Sequence, residues 1–308
     1  MDKRFVMRNI VELLAFHDER VIPNWLYHGF VLCEAGKFPL LRDKLINAKR
    51  ECGCSIDKRI RFSKLTSKST GSTKTRTAIK WARLFVDELY ESLWFYLFGI
   101  NLPNIDYEFF GPSADGQDRD FRIYNRFFEI GLFSACRFFF DSETEDVEIV
   151  QIFSEKRDLE VDNPFLIHAP YKINKRESNV KVKSKQVIQV ASSLSREIQY
   201  PEHVHVVNFV DVLTGSFSQV IDYTTRKDGC TEVADKVFPV CLRLSENPYN
   251  KNSRYYKKYA MSFFPKLSVS KSSMMRYGIR PPQEQFYWNR VLRLYQPECI
   301  PGLEKLFR

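Results

Sequence analysis

This sequence has no run of eighteen or more apolar residues, so no segment reads as a membrane-spanning helix. A secretory signal is also missing from its start. In MDKRFVMRNIVELLAF, Glu12 interrupts the apolar part and no small-residue cleavage site follows. The seven cysteines are odd in number and scattered. The only close pair, Cys52 and Cys54, lacks the two-residue gap of zinc and redox motifs. A reduced, cytoplasmic protein without structural zinc is therefore expected. Around Gly71 the GxxxxGK[ST] spacing is absent, which excludes a phosphate loop of that kind. Internal repeats are absent, and the one biased tract is Thr66–Thr77, rich in Ser, Thr and Lys.

What the sequence does contain is apolar mass and segregated charge. Apolar residues make up 44%, with 26 Phe and 15 Tyr, enough for one large core or two modest ones. The formal net charge of +9 conceals three blocks. Arg42–Arg83 holds thirteen bases against three acids; Asp87–Phe165 holds eighteen acids against six bases; Glu246–Arg308 holds twelve bases against four acids. Two basic blocks flanking an acidic one suit a polyanion partner, with acids gathered elsewhere. Ordinary solvated surface is the plainer alternative.

Local patterns give a coarse order of elements. IVELLAF (Ile10–Phe16) and WLYHGFVLC (Trp25–Cys33) read as two strands of a hairpin, the first ending in Asp18 and Glu19. Lys37–Cys52 has helical spacing, Arg59–Leu65 reads as a short strand, and Ala78–Trp94 as a clear amphipathic helix. Phe95–Ile100 is a strand, Phe121–Phe140 an aromatic core helix, and Val147–Phe153 a half-buried strand that runs on into Glu155 and Asp158. Lys181–Gln199 reads as a helix, and Cys230–Leu244 as a strand or short helix. His203 and His205 would face one way on a strand and could ligate a metal, but no third ligand stands near them in sequence. Beyond Glu246, rings such as Tyr255, Tyr259 and Phe263 interleave with Lys257, Lys258 and further bases. That composition suits stacking on single-stranded nucleic acid, or equally rings packed on the main domain.

The oddest stretch is Val204–Val220. It reads as a helix from about Val207, with one carboxylate, Asp211, on or beside its apolar face. A lone buried carboxylate is costly. Asp211 therefore either bonds an arginine or joins other acids around a divalent metal. One acid-ended strand early, a second past the middle and an acid-bearing helix late match the places where a ribonuclease-H-like fold keeps its metal acids. The expected fold is α/β, a mixed central sheet with helices on both faces over residues 1–245, followed by a basic aromatic extension, 246–308.

Several motifs resemble the bacterial domain-of-unknown-function family 3800, whose fold is ribonuclease-H-like. VVNFVDVLTGSF is similar to that family's LQLADLVAG helix, with Asp211 at its aspartate, Asn208 at its glutamine and Gly215 at its glycine. LLAFHDERV resembles its first strand, keeping Asp18 and Glu19 but carrying Arg20 and Val21 where Ser-Gly is usual. WLYHGFVLC matches the second strand, and RIRFSKL resembles an E-x-K-x-S-x-L element, with Arg61 at the lysine. VEIVQIFSEKRD resembles a strand ending in D-x-R, with Ser154 at the aspartate, so Glu155 or Asp158 would substitute. The resemblance implies a Mg²⁺- or Mn²⁺-dependent nuclease acting on RNA or DNA in a defence or mobile-element setting. Asp18, Asp211 and Glu155 would bind the metal, and Glu19 and Asp158 would assist. Arg61, Lys64, Lys68, Lys74, Arg76, Lys257 and Lys258 are the expected phosphate contacts. The alternative is a binding subunit that has lost its chemistry and docks on nucleic acid or on a protein partner in a defence complex.

Overall fold

The first two strands set the frame. In the computed structural model, β1 (Asn9–Ile22) runs without a break through Asp18 and Glu19 to a tight turn at Pro23–Asn24, then returns as β2 (Trp25–Glu34). The acids are therefore inside the strand, paired with Gly29 and His28, rather than at its end. The structure describes residues 8–66, 72–105, 107, 110, 116–156, 165–191, 193–223, 225–246 and 250–264.

Helix α1 (Phe38–Glu51) follows, and the chain then runs irregularly through a single 3-10 turn at Phe62–Lys64 where a short strand was expected. The ladder is lost there because the Phe62 N–H is spent on a carboxylate, that of Asp211. Helix α2 (Thr73–Asp87) begins five residues earlier than apolar spacing implies, because Ser72 caps it by accepting from the Thr75 N–H. Strand β3 (Trp94–Asn101) is buried on both faces, as a continuous apolar run should be. Then come α3 (Gly116–Phe139), β4 (Glu145–Glu155) and α4 (Phe165–Asn174).

The span expected to be one helix, Lys181–Gln199, instead holds β5 (Val180–Val182) and β6 (Ile188–Val190), both parallel to β4. β-Branched residues fill four of the six positions of these two strands, and the Asn174 side chain bonds both the N–H and the carbonyl of Val182, which pins β5 in place. Helix α5 (Val204–Asp222) starts three residues before the expected Val207. Helix α6 (Asp228–Glu246) settles the strand-or-helix ambiguity after Cys230, and β7 (Tyr259–Phe264) closes the described chain.

The seven strands form one mixed sheet in the order β5-β4-β1-β2-β3-β7, with β6 also on β4. Helices α1, α2, α5 and α6 pack on one face and α3 and α4 on the other, each over its own apolar cluster. This is an α/β fold with helices on both faces of the sheet. The described part of the extension is a component of it. β7 pairs with β3, and Tyr259 stacks on Phe85 at 4.1 Å while its hydroxyl donates to the Phe85 carbonyl. With its 3-10 lead-in, α5 (Pro201–Asp222) is long and apolar enough to cross a membrane, but it lies buried against β1 and β2 as the core helix.

One buried cation holds the approach to the site. Lys49, on α1, is 1% exposed and donates to the carbonyls of Ile56 and Lys58, just before Arg59. Replacing it strands two carbonyls. Lys49→Met is expected to cost about 2–3 kcal/mol in urea unfolding, and an unchanged midpoint would show that the loop holds itself.

Candidate functional site

Strand alternation sorts the residues around Asp18. Phe16 belongs to the core under α5, while Leu13 and Ala15 belong to the core under α3. Asp18 and Arg20 therefore share the α5 face, and His17 and Glu19 the opposite one. Glu19 accepts from the Tyr124 hydroxyl of α3 at 3.3 Å, so it does not stand with Asp18 as an auxiliary ligand. Arg20 lies over the Phe62 ring, 5.1 Å from its centre.

The same rule corrects the assignment on β4. His17 of β1 is registered against Ser154 and bonds it, Nδ1 to Oγ, at 2.9 Å; its Nε2 meets His28 Nδ1 at 2.9 Å. Ser154 thus faces the α3 side within a buried polar chain, and a carboxylate there would point away from Asp18. The acid that β4 offers to the α5 face is Glu155, beside Phe153 of that core. Asp158 and Lys68 lie outside the described residues.

Helix α5 brings the third acid. Gly29 of β2 allows the approach, since a Cβ there would stand 1.8 Å from Thr214 Oγ1. Asp211 is half-buried, and its Oδ2 accepts from the Phe62 N–H at 2.9 Å. Asp18 is only 2% exposed. Burial, and then the charges of Asp211 and Glu19, raise Asp18 well above the ordinary carboxylate range. Burial also raises Asp211, against the Phe62 N–H and the guanidinium groups of Arg20, Arg59 and Arg61, which favour its charged form.

Three arginines thus face three carboxylates. Arg59 forms a close ion pair with Glu155 Oε1, and Arg61 Nη2 reaches the same oxygen at 3.2 Å. Burial, and then the neighbouring Arg61, lower Arg59 to about 10. Asn208 Nδ2, Thr214 Oγ1 and Arg59 Nε are buried without a hydrogen-bond partner among the described residues. The first two sit three residues either side of Asp211 on α5. Among the described residues no group of three or more His, Cys, Asp or Glu is arranged to hold a metal ion. The third acid on this face is taken up by arginine.

The other expected contacts are dispersed. Arg61 and Lys64 are exposed around the 3-10 turn beside the acids. Arg76 donates to the Cys52 carbonyl, and Lys74 sits two residues before it on α2. Lys258 lies over the Trp94 ring at 4.2 Å, with Lys257 beside it, at the end of the sheet remote from Asp18. His203 and His205 head a helix and are not on a strand. His203 stacks on Phe153 at 4.0 Å and Phe38 at 4.7 Å, and burial lowers both imidazoles, His205 to about 4. His205 is buried in the core, and His203 is half-buried against these rings.

Arg20 and Arg59 were missed as site residues. The period of β1 could have found Arg20, two residues from Asp18. Nothing local marks Arg59.

Fold and site together define an α/β protein with a carboxylate–arginine cluster on one sheet face, toward the carboxyl ends of two adjacent parallel strands. Ligands of open α/β sheets bind at such strand ends. No protein-family model, no curated protein and no solved structure matches the chain.

Proposed function

We propose that this protein is a divalent-cation-dependent phosphodiesterase acting on nucleic acid, with a ribonuclease-H-like arrangement of its sheet and acids. One observation supports the reading: Asp18 on β1 shares the α5 face of the sheet, α5 carries Asp211, and the charge of Asp211 adds to the cost of ionising Asp18. A bound divalent cation would offset the repulsion between two neighbouring carboxylates, which supports a cation site here.

The donor set fits. Both groups offer hard oxygens, and Mg²⁺ is commonly held by one or two carboxylates with substrate phosphate and waters filling its other positions. When bound, the ion supplies Lewis-acid polarisation and a more acidic water. The remaining work belongs to the chain. Arg20, Arg59 and Arg61 balance charge on phosphate oxygens, and Lys64 extends that surface outward. Glu155, the third carboxylate on this face, is held by Arg59 and Arg61.

A second reading has its own support. Three arginines against three carboxylates neutralise the cluster without an ion, as in a protein that binds nucleic acid or a protein partner and does no chemistry. Labelled single-stranded RNA and DNA, incubated with the full chain in Mn²⁺, Mg²⁺ or EDTA, separate the two. Metal-dependent cleavage that disappears in Asp211→Asn supports the first. Salt-sensitive binding without cleavage, retained in Asp211→Asn, supports the second.

A further inference from the structure

We infer that Arg59 and Arg61 form a phosphate-binding fork, and that Glu155 occupies it in the free protein as an internal substitute for the phosphate anion. A phosphodiester entering the fork would displace Glu155 toward Asp18 and Asp211. Substrate and the third cation-binding carboxylate would then become available together. The second half of this inference rests on the metal reading of the site.

The contact geometry is the starting point. Both guanidinium groups converge on one oxygen, Glu155 Oε1. Arginine binds carboxylate best through two parallel N–H···O bonds to two oxygens. Two arginines sharing one oxygen leave that pairing unused, and the Arg59 Nε–H is buried with no hydrogen-bond partner among the described residues. A phosphodiester, with two unesterified oxygens on a tetrahedral centre, can serve both forks at once.

Access is the second point. The Arg61 side chain is 45% exposed, so an incoming anion can reach it, whereas Glu155 is 14% exposed. The outer pair, Arg61 with Glu155, is open to water on the arginine side and exchanges readily, while Arg59 with Glu155 is the more buried pair. Position is the third. His17 is registered against Ser154, so the next residues along, Asp18 and Glu155, lie side by side on the α5 face. Released from the arginines, the Glu155 carboxylate has the Asp18–Asp211 pair as its neighbour. The charge of Asp18 and Asp211 also draws on Arg59. The fork therefore stays near the acids after Glu155 leaves it.

The test has two arms on the full chain. In EDTA, with no metal present, binding of a fluorescent oligothymidylate is measured by anisotropy. Glu155→Gln is expected to bind about tenfold more tightly than wild type, because the fork is vacated. The double variant R59Q/R61Q is expected to bind more weakly. Glu155→Ala should behave as Glu155→Gln does, which guards against an effect of the amide. Unchanged or weaker binding by both Glu155 variants overturns the fork. In the second arm, free Mn²⁺ is followed by electron paramagnetic resonance without nucleic acid. R59Q/R61Q is expected to hold Mn²⁺ about tenfold more tightly than wild type, and adding Glu155→Gln should cancel the gain. Equal Mn²⁺ affinity in wild type and R59Q/R61Q overturns the coupling. Absence of Mn²⁺ binding in every variant overturns the metal reading instead, and leaves the EDTA arm to decide the fork alone.

Discussion

Asp18→Asn is expected to lose metal-dependent cleavage by about a thousandfold and yet to melt higher than wild type. The two effects have one cause. Asp18 is buried, and Asp211 and Glu19 add like charge to the cost of ionising it. An amide keeps the shape and removes the charge. The gain should be about 1 kcal/mol, or about 2 °C for a chain of this size. Asp211→Asn should lose as much activity with a smaller gain in stability, because the Phe62 N–H and Arg20, Arg59 and Arg61 partly offset the burial that raises Asp211.

The pH dependence follows from the direction of the Asp18 shift. Between the ordinary carboxylate range and its raised folded value, the folded chain holds a proton that the unfolded chain has released. Stability from this group is full at acid pH and falls as pH rises through that window. Wild type should therefore lose melting temperature as pH rises above the ordinary carboxylate range, and Asp18→Asn should show a flatter profile. Added Mg²⁺ should restore wild type at the upper pH and leave Asp18→Asn unchanged, since only an ion bound by the folded state stabilises it. Scanning calorimetry across that range, with and without Mg²⁺, checks all of this. A wild-type profile as flat as the variant's would show that Asp18 carries no such strain.

Gly215→Ala is expected to damage the core severely. A Cβ at Gly215 would lie 2.3 Å from Phe62 Cγ, 2.5 Å from Cδ1 and 2.6 Å from Cβ. Swinging the Phe62 ring cannot clear the contact, because its Cβ is part of the clash. Either α5 or the 3-10 turn must retreat, and Phe62 itself is fully buried. Overpacking of this kind costs roughly 3 kcal/mol. It also separates the Phe62 N–H from Asp211, so activity should fall beyond what lost stability explains. Gly36→Ala is the control, since nothing lies within 4 Å of a Cβ there and its midpoint should barely move. Urea denaturation of both variants gives the comparison, and equal midpoints would mean that Phe62 is held less firmly than its packing implies.

Local sequence determined the elements whose pattern is complete within a few residues. The hairpin at Trp25, the continuous apolar run of β3, the aromatic α3 and the apolar α5 with one mid-helix acid, Asp211, all follow from periodicity and composition. Those signals are local because each residue answers to the face of its own helix or strand. Only the tertiary structure decided which residues share a site. His17 and Ser154 are 137 positions apart, Arg61 and Glu155 are 94 apart, and Phe62 and Asp211 are 149 apart. Such pairs depend on strand register, and a shift of one residue reverses every face. That is why the sequence alone reads Ser154 as a lost acid although Glu155 is the β4 acid on the α5 face, and why it groups Glu19 with Asp18. Asp211 was legible as an anomaly from its neighbours alone. What it faces, one carboxylate and three arginines, was set by the parallel pairing of β1 with β4 and by a glycine in β2 that lets α5 come close.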